Sequence, residues 1–306
     1  MNRRDFLKWQ MGGMILAVSG PGLLSLPCCA FADGTPDVSV IKGAPGPATR
    51  MAVDLLGGMG RFVKAGQKVV IKPNMSFASS PENAANTHPE VVRELLIMCK
   101  EAKAGSIRVL DHSLQDAEGA LNLSGIRDAC NAVEPGICHH LMDVSFYKED
   151  DIRGAKEMRS NAFMRDVLAA DVLIAVPVAK SHRSAGVSLS LKGQMGLILE
   201  RRIMHSRYSL DTSIADLNCR IKPHLAVIDA TRVLSTGGPG GPGTVLTPGE
   251  IIASADPVAA DATAVASYEW YGRKFEPRQV AHIREAHERM LGRMDIENLI
   301  IKRMTL

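Results

Sequence analysis

The feature that most constrains the fold is a series of short apolar runs separated by amphipathic segments. Each run is rich in Val, Ile and Leu, and the runs recur at spacings of about 30–40 residues, which is typical of β-strands joined through helices. This alternation predicts an α/β fold whose largely parallel sheet has helices on both faces, with a mixed sheet as the alternative. The five clearest runs are Lys68–Ile71, Ile107–Leu110, Val172–Val178, Leu225–Ile228 and Glu250–Ala253.

The composition excludes several classes of protein. An apolar content of 46% and a charged content of 23% are ordinary for a globular chain, which argues against global disorder. Aromatic residues make up only 4%, too few for a platform that stacks single-stranded nucleic acid. The net charge of +3 comes mostly from the extreme N-terminus, so no general nucleic-acid-binding surface is expected.

The first residues have the order of an export signal. The paired Arg3 and Arg4 precede an apolar run over 11–26, which is shorter than the roughly 20 residues that a membrane-spanning helix needs. A small-x-small site follows at 30–32, so cleavage is expected near Ala32. The Arg-Arg-x-Phe-Leu-Lys form resembles a twin-arginine signal.

We therefore predict a signal peptide over 1–32 and a single α/β domain over 33–306. The mature protein would be periplasmic or in the cell envelope, without a stable membrane span, and its contact with the twin-arginine export machinery would be transient. An uncleaved anchor and a lipoprotein are the alternatives. Pro27 fits the consensus for lipidation at Cys28 badly.

Four cysteines follow the predicted cleavage site: Cys99, Cys130, Cys138 and Cys219. No CxxC motif occurs, so neither an iron–sulfur cluster nor a four-cysteine zinc site is expected. Cys130 and Cys138 are the closest pair in sequence, and an oxidising compartment permits a disulfide between them. Cys99 and Cys219 lie on apolar-periodic segments, which predicts buried thiols.

Two helix starts carry recognisable caps. The sequence Thr87-His88-Pro89-Glu90 is a capping-box pattern with Thr87 as N-cap. Asp256 followed by proline predicts an N-cap and a proline in the first turn. Asp256 therefore fits either a structural role as a helix cap or a role in the site. His88 fits either an exposed surface position or a role in the site.

Polar residues follow the apolar runs at five places. In open α/β sheets, ligands bind outside the carboxyl ends of the strands, so these residues predict one convergent site. They are Lys72 and Asn74, Asp111 and His112, Lys180 and His182, Asp229 and Thr231, and Asp256.

The stretch Val172–Gly196 concentrates the candidate chemistry. An apolar strand breaks at Pro177, and Lys180, His182 and Lys192 follow among small residues. We predict these three as catalytic residues, with His182 as acid or base. Residues 181–199 fit either a strand or the start of a helix.

The charge mix of the site restricts the ligand. Lysines 72, 180 and 192 would repel one another unless an anion or neighbouring carboxylates offset them, which favours a small carboxylate- or phosphate-bearing ligand. Lys72, Asn74, Asp229 and Asp256 are the predicted ligand-binding residues. A divalent metal held by His88, His182 and Asp229 is a further possibility.

The loop TGGPGGPG over 236–243 lacks the motif of a phosphate-binding loop, which favours a turn-dense lid.

Several short motifs together resemble one family. VVIKPN at 69–74, THPE at 87–90, AKSH at 179–182 with the SLSLKGQMG after it, IDAT at 228–231 and IIASADPVAADA at 251–262 are similar to those of domain of unknown function 362. The resemblance covers about residues 38–270 and implies a domain type without a reaction. Some relatives carry an added ferredoxin segment, for which this chain lacks the cysteines. The Lys/His spacing is also similar to that of nickel-pincer 2-hydroxyacid racemases, as an analogy only.

Three functions fit these observations. The first is an exported enzyme acting on a small anion through Lys/His acid–base chemistry, of a reaction class that the sequence does not identify. The second is a non-catalytic periplasmic protein that binds a ligand or a metal. The third is an accessory factor to a co-exported redox enzyme.

Overall fold

The computed structural model describes residues 34–114 and 116–306. The predicted signal peptide lies outside these residues. Residues 35–306 form one compact unit. None of the helices formed by the described residues has the length and apolarity that crossing a bilayer requires.

Strands and helices alternate along most of the chain. The strands are β1 Val38–Lys42, β2 Lys68–Pro73, β3 Ser106–Asp111, β4 Cys138–His140, β5 Tyr147–Asp151, β6 Ser160–Met164, β7 Val172–Val176, β8 Val178–His182, β9 Gly186–Ser188, β10 Leu225–Leu234, β11 Val245–Leu246, β12 Glu250–Ser254, β13 Glu269–Trp270, β14 Arg273–Lys274 and β15 Ile301–Thr305. The helices are α1 Pro45–Leu55, α2 Met59–Phe62, α3 Pro89–Glu101, α4 Ala117–Leu123, α5 Ile126–Asn131, α6 Arg165–Leu168, α7 Ser190–Gly193, α8 Ile203–Ser206, α9 Leu210–Arg220, α10 Pro257–Ser267 and α11 Ala281–Glu288.

The central sheet has the order β15-β1-β12-β10-β7-β2-β3-β4, with β8, β9 and β11 attached beside β10. Pairing is parallel from β10 through β4 and between β15 and β1, whereas β12 runs antiparallel to both of its neighbours. The predicted α/β class with a largely parallel, mixed sheet is confirmed.

Alternation along the strands divides the core between the two faces of the sheet. Val69 and Ile71 pack with the apolar sides of α1, α3 and α5. Val70, between them, belongs to the core on the other face, which α9, α10 and α11 cover. Since successive side chains of a strand point to opposite faces, one continuous apolar run supplies both cores.

Some segments depart from a simple alternation of strands and helices. The helical segment 45–63 divides into α1 and α2, and Gly57 and Gly58 between them both have positive φ. The short α6 is preceded by the antiparallel β5–β6 hairpin. Its strand β5 consists of Tyr-Lys-Glu-Asp-Asp, a composition with little strand propensity.

The cap of α3 is different from the predicted one. His88 is the N-cap, and its Nδ1 accepts a hydrogen bond from the Glu90 N–H at 3.2 Å. Thr87 is not the N-cap but a buried residue. Its Oγ1 donates to the Val176 carbonyl at 2.6 Å and accepts from the Asn74 N–H at 2.8 Å. Thr87 thereby ties the ends of β2 and β7 together.

All four described cysteines are free thiols in the structure. Cys99 is buried as predicted, and burial raises its pKa to about 12. Cys219 is only partly buried, and its Sγ accepts a hydrogen bond from Arg289, so the prediction of a buried thiol is wrong there.

Candidate functional site

The site begins where Pro177 interrupts the chain between β7 and β8. Strand β7 pairs with β2, whereas β8 leaves β2 and pairs with β10 and β9. The Asn74 side-chain oxygen accepts from the Val178 N–H at 3.0 Å and fixes this change of direction. As a result, Lys180 and His182 lie beyond the carboxyl end of β7.

A cavity of about 200 Å³ lies at this edge of the sheet. Its volume is below the range of drug-sized pockets, which suits a small molecule. It is lined by Lys72, Asn74, Ser76, Phe77, Asp111, Leu114, Lys180, His182, Ser188, Lys192, Gly193, Met195, Gly196, Arg201, Arg202, His205 and Pro239.

Lys72 and Asp111 form a buried ion pair in the wall of the cavity. The Lys72 Nζ lies 3.2 Å from the Asp111 Oδ1 and donates to the Pro73 carbonyl at 2.6 Å. Asp111 also accepts from the Ser76 hydroxyl and the Met75 N–H. Burial opposes ionisation of Asp111, but the charge of Lys72 and these hydrogen bonds outweigh it and lower the pKa of the carboxyl.

Gly196 permits this pair to lie against the backbone. A Cβ at this position would lie 2.0 Å from the Asp111 Oδ1 and 2.9 Å from the Lys72 Nζ. The second glycine of the KGQMG motif is therefore required by the close approach of the ion pair.

In the part of the chain that the structure describes, Lys180 has no acidic partner. Only 2% of the residue is exposed, its Nζ donates to the Ala85 carbonyl at 2.6 Å, and the ring centre of Phe77 lies 4.8 Å away. Burial, followed by repulsion from Lys72, lowers its pKa to about 7. Lys180 therefore exchanges a proton near neutral pH.

Among the described residues, Lys192 has only a weak hydrogen-bond partner. It is 7% exposed, and its Nζ contacts the Met195 Sδ at 3.3 Å, a weak acceptor. Burial, followed by repulsion from Arg201, lowers its pKa to about 8. Among residues 34–114 and 116–306, no carboxylate oxygen lies within 4.0 Å of the ammonium of Lys180 or Lys192.

Asp261 of α10 positions the short helix that carries Lys192. Its two carboxyl oxygens accept from the N–H groups of Ser190 and Leu191 at 2.8 and 2.9 Å, at the start of α7. Burial raises the pKa of Asp261 to about 7. The segment 251–262 therefore contributes to the site through Asp261.

His182 is a neutral imidazole whose orientation is fixed. Its Nδ1 accepts from the N–H groups of Ser184 and Ala185, both at 3.2 Å, which places the ring proton on Nε2. Its ring stacks on that of His205 with centroids 5.9 Å apart. Burial, followed by repulsion from Lys192, lowers its pKa to about 3.

The glycine-rich loop borders the cavity through Pro239. The Gly238 N–H donates to the Ser181 hydroxyl at 3.0 Å, and a Cβ on Gly238 would lie 1.9 Å from the Ser181 carbonyl oxygen. Gly240 lies against the ring of Phe77 in the same way. This segment is docked on β8 and contacts the ring that faces Lys180.

Asp229 does not line the cavity. Strand β10 continues to Leu234 rather than ending at Ile228, so Asp229 is an internal, fully buried residue. Its carboxylate accepts from both the N–H and the hydroxyl of Thr231, from the His88 N–H at 2.8 Å and from Arg232 at 2.8 Å. Its observed contacts hold the start of α3 against β10.

Asp256 lies at the opposite edge of the sheet. Because β12 is antiparallel to β10, its carboxyl end pairs near Ala226, at the beginning of β10. Asp256 caps α10 through the N–H groups of Val258 and Ala259 and also accepts from the Arg293 N–H. The predicted cap is confirmed, and the predicted position beside the lysines is wrong.

The three suggested metal ligands do not converge. His88 is engaged as a helix cap, Asp229 is fully hydrogen-bonded in the core, and only His182 of the three lines the cavity. In the described part of the chain, no three His, Cys, Asp or Glu side chains gather to hold a metal ion. These residues therefore do not fit a metal centre.

Several of the residues that line the cavity were not identified from the sequence. Arg201 donates to the carbonyls of His112 at 2.7 Å and of Ser113, and His205, which is exposed at the rim, stacks on His182. The sequence feature that pointed to Arg201 was the Arg201-Arg202 pair shortly after the SLSLKGQMG segment. No local pattern distinguished this arginine pair from two arginines exposed to solvent.

Comparison with known proteins places the chain in a family. Residues 69–266 match the model of domain of unknown function (DUF362), and the chain belongs to this family. A thylakoid-associated protein of Synechocystis sp. is 25% identical over 221 residues, which are 69% of this chain and 66% of that protein.

Two solved structures are more distant, each with 13% identity. The lactate racemase apoprotein of Thermoanaerobacterium thermosaccharolyticum aligns with a TM-score of 0.41 over 62% of this chain and 49% of that one. A protein of Thermotoga maritima aligns with a TM-score of 0.40 over 61% and 51%. The chain thus spans about two thirds of the length of the thylakoid-associated relative and about half of each solved structure.

Proposed function

We propose that the protein binds a small anionic molecule, a carboxylate or a phosphate, in the cavity at the carboxyl ends of β2, β3 and β8. One observation carries this proposal. Lys72, Lys180 and Lys192 are buried in the wall of the same cavity, and among the described residues only Lys72 of the three has a carboxylate partner.

The energetic argument is one of charge compensation. A buried ion without a partner costs several kcal/mol, so a fold that retains two such lysines loses stability through them. A ligand that brings negative charge into the cavity removes this cost and gains charge-assisted hydrogen bonds. The lysines would therefore hold the anion.

Two neutral groups would supply directional hydrogen bonds. The Asn74 oxygen is occupied by the Val178 N–H, which leaves its amide NH₂ for the cavity. His182 has its proton on Nε2 because Nδ1 is occupied by the loop at 184–185. Both groups would donate to an anion without a change of protonation.

A catalytic role is the second candidate, and the pKa of Lys180 favours it. A pKa of about 7 lets this lysine accept and release a proton near neutral pH, whereas His182, at about 3, is a poor base there. In an enzyme, Lys180 would transfer the proton, and Lys72 and Lys192 would hold the substrate's charge. A pure binding protein would use the same residues without turnover.

The test is calorimetric titration of residues 33–306 with inorganic phosphate and with malonate. We expect saturable binding that Lys192→Met weakens at least about tenfold, the effect of losing one charge-assisted contact of about 1.4 kcal/mol or more. Lys64→Met is the matched control, since Lys64 is exposed and its Nζ donates to the Gly60 carbonyl, before β2 begins. Equal affinity in the wild type and Lys192→Met would overturn the proposal.

We also propose that the protein reaches the periplasm or cell envelope through twin-arginine export. The support is the sequence of the first 32 residues, with Arg3 and Arg4 before the apolar run. In a bacterium with this pathway, the processed protein should fractionate with the periplasm, and the double variant Arg3→Lys/Arg4→Lys should leave the precursor in the cytoplasm. An unchanged distribution of the double variant would exclude this route.

A further inference from the structure

We propose that the ligand of this cavity carries two negative charges, as in a phosphate monoester or a small dicarboxylate, and that Lys180 and Lys192 each neutralise one of them. This inference rests on the proposed anion site and specifies the class of ligand that it takes. It follows from counting which cations of the site already have partners.

Of the described residues that line the cavity, one carries a carboxylate, and that carboxylate already has partners. Asp111 lies 3.2 Å from the Lys72 Nζ and accepts three further hydrogen bonds, from Met75, Ser76 and His112. Lys72 and Asp111 therefore cancel, and neither leaves a charge for a ligand to balance.

Two lysine charges remain uncompensated. Lys180 Nζ has a carbonyl and an aromatic ring as partners, and Lys192 Nζ has a thioether sulfur. None of these partners carries a formal charge. A ligand with one negative charge would pair one ammonium and leave the other buried and repelled, whereas a dianion satisfies both.

Arginine adds positive potential without requiring a third charge. Among the described residues, Arg201 is likewise bonded only to uncharged groups, the carbonyls of His112 and Ser113. It is only partly buried, however, so solvent screens its charge in a way that it does not at Lys180 and Lys192. Arg202 is exposed at the rim, where water solvates it. Both favour a strongly charged ligand over a neutral one of the same size.

The small volume also limits where the charges can lie. A cavity of about 200 Å³ admits a phosphate group or a dicarboxylate of few atoms. Its uncharged wall includes Phe77, Leu114, Met195 and Pro239. A short apolar substituent on the anion would therefore be accommodated, and a long polar one would not.

The number of protons taken up on binding distinguishes a ligand that charges both lysines from one that charges neither. With pKa values of about 7 and 8, the free lysines at pH 8 are about one tenth and one half protonated, so full charging of both takes up more than about one proton. The other charged or titratable groups that act on these two lysines or line the cavity around them are Lys72, Asp111, His182, Arg201, Arg202, His205, Asp211 and His282.

The experiment compares ligands of nearly equal size and different charge. Residues 33–306 are titrated at pH 8 with methyl phosphate and dimethyl phosphate, and with malonate and its monomethyl ester, in two buffers of different ionisation enthalpy. We expect one of the dianions to bind at least about tenfold more tightly than its monoanionic partner and to take up more than about one proton. A preference for methyl phosphate would identify the ligand as a phosphate monoester, and a preference for malonate would identify it as a dicarboxylate.

Two variants complete the test. Lys192→Met should reduce the preference for the dianion to about threefold or less and lower the proton uptake by about a third, while Lys64→Met changes neither. Monoanions that bind as tightly as dianions, with the same proton uptake, would overturn the inference and leave the anion site standing. Absence of binding by every anion would instead overturn the proposed function.

Discussion

Replacing Lys192 by methionine should stabilise the unliganded protein, although it removes a residue of the proposed site. Methionine keeps most of the volume of the lysine chain and carries no charge. The pKa of Lys192 falls from the ordinary 10.5 to about 8, and each pKa unit corresponds to about 1.4 kcal/mol, so the buried charge lowers the free energy of unfolding by about 3 kcal/mol.

The sign of the pH dependence follows from linkage. Below pH 8 the lysine is protonated in both the folded and the unfolded states, and the cost of burying the charge is fully present. Between about pH 8 and 10.5 the folded state is neutral while the unfolded state still binds a proton, so the cost declines and disappears above the unfolded pKa. The stabilisation by Lys192→Met should therefore be greatest below pH 8 and near zero above pH 10.5.

Lys72→Met is the matched control with the opposite expected sign. It removes the partner of Asp111 and leaves that carboxylate buried, which should cost about 3 kcal/mol or more, the loss typical of a broken buried ion pair. Urea unfolding at pH 7 and pH 10, without added anions, measures both variants. A Lys192→Met variant that is less stable than the wild type at pH 7 would refute the reasoning.

Three further outcomes are expected. Gly196→Ala should abolish phosphate binding and lower the unfolding free energy, because its Cβ would lie 2.0 Å from the Asp111 Oδ1; phosphate titration and urea unfolding check both. Thr87→Val should cost about 1–3 kcal/mol in urea unfolding, since the Val176 carbonyl and the Asn74 N–H lose a buried partner. Malonate affinity, followed calorimetrically, should fall at least about tenfold between pH 7 and pH 9, because the free lysines lose their protons above about 7 and 8. A flat pH profile would contradict the role of the lysines.

The sequence predicted structural features correctly where the interactions that form them lie between residues close in the chain. The apolar runs of β2, β7 and β10 predict buried strands because Val, Ile and Leu are favoured there, and Asp256 before Pro257 predicts a cap that only nearby N–H groups complete. Lys180 and Lys192 stood out because a charged side chain among small residues has few structural roles. Their presence beside one cavity agrees with that reading.

Strand direction was decided by the tertiary structure, although one signal for it was present. The segment between β10 and β12 contains no helix, and parallel strands require a crossover connection. The antiparallel return of β12 moves Asp256 to the far edge of the sheet, while the extension of β10 buries Asp229 in the core. Sequence spacing does not reveal which edge a strand end reaches.

The sequence by itself determined the α/β class and singled out Lys72, Lys180 and Lys192 as charged residues that follow apolar runs or lie among small residues. Only the tertiary structure decided how their charge is balanced. Asp111 neutralises Lys72, while Lys180 and Lys192 are left with a carbonyl, a ring and a sulfur. The reason is physical: whether a buried cation is paired depends on contacts within 4 Å between distant segments, and no local pattern encodes those distances.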